Sequence, residues 1–291
     1  MRDKLFSLLP PCSYQGGKQR LCGQILDIIE KENGKDFVFY DLCCGSGSVG
    51  LEAVKRGYET VFNDAGLYGL FYEMIGKNGF SLKKFREVID DLPTVDKIQE
   101  YLRDLSEKIV NQDLLPYHYL ILQAGAFGSK QIWIDNINNE WRWRNNTFRS
   151  YWLPTETSNR KSPVNPMMPM PETLYSRVEN IIYNSNGLIK GHWGDITRFQ
   201  YDVRDDKRKK VVYIDPPYKN TTGYFYDFNI DDIISTLRET CNVYVSEGYS
   251  MDNARSIILS EGRKKGNVSG TVKKNPVIET LNVFDKNKNI K

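Results

Sequence analysis

Residues 36–57 read DFVFYDLCCGSGSVGLEAVKRG, a stretch that few folds can satisfy. A hydrophobic strand-forming run ends at Asp41. The glycines Gly45, Gly47 and Gly50 follow with the spacing G-x-G-x-x-G, and a helical pattern begins behind them. Glycines at those places permit a tight turn and let a ligand come close to the backbone at a helix N-terminus. The next segment, ETVFND, reads as a second strand that ends at Asp64. Strand, turn, helix and strand form the repeating unit of a mainly parallel sheet.

The same alternation recurs along the chain. Leu21, Ile25, Ile28 and Ile29 stand at helical spacing, which predicts a helix over residues 20–33. Residues 67–125 read as largely helical. Residues 130–171 are rich in Trp, Asn, Arg and Pro, have weak periodicity, and suggest a separate small lobe. Helical patterning returns in PETLYSRVENIIY, starting at Pro171 or Glu172. Then come LIKGHWGDITRF, the basic loop RDDKRKK, the strand VVYID, a helix near 230–240 and the strand NVYVSEG. The segment NVSGTVKKNPVIETLNVF reads as a C-terminal antiparallel hairpin.

Composition removes several classes of function. No apolar run reaches the length of a membrane span. The apolar patch at the N-terminus is cut by Pro10 and Pro11, so it is not read as a signal peptide. The five cysteines form no C-x-x-C pair and there are only two histidines, so neither a disulfide framework nor a metal site is expected. These features fit a cytoplasmic protein. A net charge of +3 permits nucleic-acid binding without requiring it.

The strand VVYI is followed by Asp215, Pro216, Pro217 and Tyr218. Proline has no N–H to give to a sheet ladder, so two in succession end the strand. Such an end can hold a planar amino group. Asp215 can accept one N–H, the Pro216 carbonyl can accept the other, and Pro217 keeps Pro216 extended. Tyr218 offers a face on which a base can stack. Two acceptors localise the nitrogen lone pair, which can then attack an electrophilic methyl group held in line, with no metal required. The competing structural reading is an edge strand ended by Pro-Pro, with Tyr218 packed in the core. The glycine turn is likewise open to a nicotinamide dinucleotide or to no ligand, and Asp64 suits the ribose of any nucleoside.

Taken together, these blocks resemble the Dam-like DNA adenine-N6 methyltransferases, which use S-adenosylmethionine as donor. The resemblance implies a Rossmann-like methyltransferase fold with an inserted target-recognition lobe. It places Tyr14 and Lys18 of YQGGKQRL near the methionine end of the donor. Asp41, Gly45 and Gly47 match the glycine-turn motif, and Asp64 matches the ribose-binding acid. Asp195 of HWGDI would meet the adenine amine of the cofactor, or simply cap the following turn. Asp215, Pro216, Pro217 and Tyr218 match the catalytic motif. The implied division is a catalytic unit over 1–66 and 172–291, with 67–171 as a mostly helical insert carrying the DNA-recognition lobe.

The glycine turn is also similar to that of small ribosomal RNA guanine-N2 methyltransferases. Spacing favours DNA, because Asp41 and Asp215 stand 174 positions apart and leave room for the insert. The insert contains four of the five tryptophans, Trp133, Trp141, Trp143 and Trp152, beside Lys130, Arg142, Arg144, Arg149, Arg160 and Lys161. Arg and Asn read base edges and basic groups neutralise phosphates, so Lys130, Arg142, Arg144 and Arg149 are the candidate DNA contacts. Packing within the lobe is the competing use for each tryptophan. Methylation of double-stranded DNA by base flipping is the leading expectation, with a cognate restriction endonuclease as a conceivable partner. An RNA base-amine methyltransferase and a catalytically idle DNA-binding homologue are the alternatives. QAGAFGSKQI matches the hairpin block of GATC-specific members only loosely, so the target sequence is open.

Overall fold

A computed structural model describes residues 8–144, 147–151, 168–217, 228–261 and 278–287. In chain order the elements begin with α1 (Cys22–Asn33), β1 (Val38–Leu42), α2 (Ser48–Lys55), β2 (Thr60–Asp64) and α3 (Leu67–Gly76). Next come α4 (Leu82–Asp90), α5 (Ile98–Glu107), α6 (Leu115–Gly125), β3 (Trp133–Ile137), β4 (Glu140–Arg144) and α7 (Pro171–Asn184). The remainder is β5 (Ile189–Trp193), α8 (Ile196–Asp205), β6 (Lys210–Ile214), α9 (Ile230–Leu237), β7 (Asn242–Glu247), β8 (Arg255–Glu261) and β9 (Ile278–Phe284).

The central sheet has the strand order β5-β2-β1-β6-β7-β9-β8. The first five strands are parallel, and β9 pairs antiparallel with both β7 and β8. The protein is therefore mixed α/β, with a mainly parallel sheet and an antiparallel hairpin at its end. The predicted hairpin over 267–284 has its second strand in place, but the first strand is β8, earlier in the chain. Residues 262–277 lie outside the described residues.

Strand periodicity assigns the layers. Val38, Tyr40 and Leu42 of β1, with Val212 and Ile214 of β6, pack among Ile196, Val203, Ile233 and Leu237 of α8 and α9. The intervening residues Phe39 and Tyr213 pack among Ile25, Ile29, Val49 and Ala53 of α1 and α2. Successive strand side chains point to opposite faces, so both faces of the central strands are covered by helices. By the same rule Asp41 shares a face with Phe39 and points towards α2.

The chain leaves β1 towards β2 and β5 on one side, then returns to β6 on the other. Between the C-terminal ends of β1 and β6 neighbouring connections therefore diverge, which opens the crevice where α/β sheets bind ligands.

Residues 77–144 supply α4–α6 and a separate two-stranded sheet. This β3–β4 hairpin was not evident from the weak periodicity of its segment. Asn138 and Asn139 take positive φ of 52° and 65° and join the strands, a role asparagine tolerates better than most residues. Trp143 packs in the largest apolar cluster with residues of α3–α7, whereas Trp141 is exposed. Trp152, Arg160 and Lys161 lie outside the described residues. Helix α3 lies against β5 and β2, so a division of the chain after residue 66 separates this helix from the sheet it covers.

Candidate active site

Chain segments far apart in sequence converge on the crevice. Its lining includes Tyr14 and Lys18, then Asp41, Cys43 and Gly45, then Asp64 and Asp195, and finally Asp215, Pro216 and Pro217. Of the predicted catalytic and cofactor residues, Gly47 does not line it, and Tyr218 lies outside the described residues.

The glycine turn is held by carboxylates. Asp41 Oδ2 accepts the backbone N–H of Gly50 at 2.7 Å, capturing a donor at the start of α2 that has no intrahelical partner. Asp64 accepts from both sides, from Gly45 N at 2.7 Å and from Gly66 N at 2.6 Å. It thereby ties the turn after β1 to the start of α3. Gly45 and Gly47 have φ of 49° and 80°, in the left-handed region. A Cβ on Gly45 would come 2.7 Å from the Tyr14 ring, and one on Gly47 would come 2.2 Å from the Tyr72 hydroxyl. Tyr72 in turn donates to the Ser46 carbonyl at 2.8 Å. Gly47 thus serves the packing of the turn on α3.

Burial pushes the Asp41 carboxyl up to about 8, against the Gly50 N–H, with Asp215 and Asp64 adding repulsion and Lys18 opposing it. Burial also raises Asp64, opposed by its two backbone donors. Asp215 is pushed up to about 6, again chiefly by burial, with Lys18 pulling it down and Glu279 pushing it up.

Lys18 is only 5% exposed. Its Nζ donates to the Gly16 carbonyl at 2.9 Å and to both Asp215 oxygens, at 2.7 and 2.9 Å. The Tyr14–Lys18 loop is also bonded to the insert, through Gln15 N to the Ser129 carbonyl at 2.9 Å. Asp195 is the N-cap of α8, accepting from Thr197 N at 2.8 Å, while also lining the crevice. Its two predicted roles are therefore compatible.

The predicted DNA contacts are dispersed. Lys130 is exposed. Arg142 pairs with Glu140, and Arg144 Nε with Asp135 at 2.6 Å, on the solvent-facing side of β4. Arg149 corrects the expectation of a surface contact. It is 4% exposed, and its Nη2 donates to the Ala124 carbonyl at 3.1 Å. Its guanidinium is turned inward onto a backbone carbonyl, so it is not presented to a phosphate. None of these four residues lines the crevice.

Sequence reasoning missed Gln131, Tyr213, Phe228 and Glu279. The first three line the crevice, and Glu279 stands 3.6 Å from Lys18. Gln131 is buried beside Gly66 and Asp64. It is delivered by a segment that Gln123 braces through the Lys130 carbonyl and Ile132 N–H. No local pattern marks such residues, because tertiary folding alone brings them to the crevice.

Among the described residues no group of three His, Cys, Asp or Glu could hold a metal ion, and no helix is long and apolar enough to cross a membrane. No curated protein matches the chain. Asp195 and the Asp215–Pro217 strand end lie beyond the stretch that a matching family model covers. That stretch, residues 14–122, holds Tyr14, Lys18, the glycine turn and Asp64, and it matches the model of the family described as D12 class N6 adenine-specific DNA methyltransferase.

Proposed function

We propose that the protein transfers a methyl group from S-adenosylmethionine to N6 of adenine at specific sites in double-stranded DNA, taking the base out of the helix to do so. The supporting observation is the meeting of Asp64, the glycine turn and Asp215–Pro217 in one crevice. The strand order and its switch point support the reading of a Rossmann-like methyltransferase fold. In this reading the catalytic unit includes α3, and the recognition insert begins after Gly76.

The residues present suit the donor. Asp64 keeps acceptor capacity for ribose hydroxyls beyond its two backbone bonds, and Gly45 leaves the backbone open beside Tyr14. Asp195 is available to the cofactor's adenine amine. Bound there, S-adenosylmethionine would supply an electrophilic sulfonium methyl group and depart as the thioether. Asp215 and the Pro216 carbonyl accept the two N–H bonds of the target amine and orient its lone pair. The nitrogen forms the new N–C bond and gives up one proton, for which Asp215 is the adjacent acceptor. Tyr218 would stack on the flipped base. Lys130, Arg142 and Arg144 would meet the duplex.

Incubation with labelled donor and adenine-containing duplexes should place the label in N6-methyladenine. Label in cytosine, or in RNA offered as competitor, would overturn the reading. DNA binding without turnover would indicate an idle homologue.

A further inference from the structure

We propose that Glu279 is a positioning residue for this reaction: the second carboxylate onto which Lys18 moves when Asp215 engages the target amine. The inference rests on the functional reading above.

The geometry poses a problem that Glu279 solves. Both oxygens of Asp215 accept from Lys18 Nζ, so an incoming amine must compete with a charged donor for the same carboxylate. Charge-assisted hydrogen bonds are the stronger kind. Lys18 is nearly enclosed, and an ammonium drawn off one buried carboxylate needs another close by, because an uncompensated buried charge is expensive. Glu279 Oε1 stands 3.6 Å from Nζ, with a side chain 14% exposed. A small displacement of the ammonium exchanges one carboxylate for the other.

The fold aims Glu279 at this point. On β9 it pairs with Ser260, whereas the next residue, Thr280, pairs with Ile258. Leu259 is therefore an extra residue in β8, and the register breaks directly opposite Glu279. Such bulges re-aim side chains beside active sites. The charge count is also informative. Asp215 is faced by Lys18 from the N-terminal loop, Glu279 from β9, Asp41 from β1, Cys43 after β1 and Tyr213 on its own strand. Lys18 is the cation in this set, and Glu279 both shares it and repels Asp215, which leaves Asp215 readier to take the amine N–H.

The test compares wild-type protein with Glu279→Gln and Glu279→Asp. Steady-state methylation of an adenine duplex is measured against pH, alongside affinity for S-adenosylmethionine. Independently, the Asp215 carboxyl is titrated by 13C NMR in the free protein, its signal assigned by loss in Asp215→Asn. In Glu279→Gln, kcat should fall about 10- to 100-fold, with donor affinity within about twofold of wild type. Both the acid limb of the rate profile and the NMR midpoint should move to lower pH. Glu279→Asp should recover much of the turnover. Unchanged kcat, an unmoved midpoint, or parallel loss of kcat, donor affinity and thermal stability would overturn the proposal. Absence of wild-type turnover would overturn the functional reading and with it the positioning role. The NMR midpoint would still register separately whether Glu279 acts on Asp215.

Discussion

The crevice at the end of the parallel sheet and the β3–β4 hairpin both gather charged side chains, but they hold them in opposite ways. In the crevice Asp41 and Asp64 are fixed by backbone N–H groups at 2.6–2.7 Å. On the hairpin Arg144 is exposed and Arg142 half-buried, and they pair with the carboxylates of Asp135 and Glu140. A backbone donor cannot rotate away, whereas a surface carboxylate can exchange for a phosphate at little cost. The crevice is thus organised before any ligand arrives, and the hairpin charges remain exchangeable. Fixed groups suit chemistry that needs exact placement, and exchangeable ones suit contact with a polyanion.

The largest effect is expected at Asp215, which is held by the Lys18 side chain rather than by backbone N–H groups. Asp215→Asn keeps an acceptor but loses the negative charge that engages the amine, so turnover should fall by about a hundredfold or more. Affinity for S-adenosylmethionine should survive, as equilibrium binding will show. Loss of donor binding with turnover would move Asp215 into the cofactor site. Because burial pushes Asp215 up to about 6, wild-type turnover should rise as pH increases through that value.

Asp41 probes the same organisation through stability. Its folded pKa, about 8, lies above the ordinary 3.8. Between those values the folded protein holds a proton that the unfolded chain has released. Stability therefore falls as pH rises across that window, the reverse of the usual carboxylate case. Asp64 and Asp215 are shifted in the same direction. In Asp41→Asn, whose amide oxygen can still accept from Gly50 N–H, the fall should be shallower. Urea midpoints at pH 5, 7 and 9 measure it, and an unchanged slope would show that the folded Asp41 is ionised.

Gly47→Ala tests the turn at a smaller scale. The new Cβ would meet the Tyr72 hydroxyl at 2.2 Å with φ at 80°. A loss of about 1–3 kcal/mol is expected in denaturant unfolding. Adding Tyr72→Phe removes the nearest atom but leaves Tyr72 Cζ, 2.7 Å away, in place as the Phe ring carbon, so recovery should be partial. Full recovery would mean the backbone carries no strain.

The same contrast explains what could be read from the sequence. Asp41, Gly45, Asp64 and Asp215 sit at the ends of strands whose apolar runs are local signals, and the ends of such strands face the crevice by topology. Helices beginning at Cys22 and Pro171 were legible from spacing and from a helix-starting proline. Arg149 was misassigned because its composition matched a surface lobe, while its burial depends on the carbonyl of Ala124 and the packing around it. Glu279 and Gln131 carry no local mark at all. The first strand of the C-terminal hairpin was missed because Arg255–Glu261 pairs with β9 across a long separation in sequence.

Asp135→Asn is the mildest test and the one that addresses the hairpin directly. Removing the carboxylate releases Arg144, whose side chain is 47% exposed, without removing any cation. An exposed pair of this kind contributes about 0–1 kcal/mol, so the unfolding midpoint should scarcely move. If Arg144 meets the DNA backbone, the variant no longer has to break an ion pair on binding, and affinity for duplex DNA should rise modestly at low salt. Arg144→Ala should then weaken binding and reduce the dependence of log K on log salt by about 0.9, the contribution of one phosphate contact. Were the two variants to leave affinity and salt slope unchanged, the outward face of β4 would not be a DNA surface, and the search for phosphate contacts would pass to Lys130 and the crevice rim.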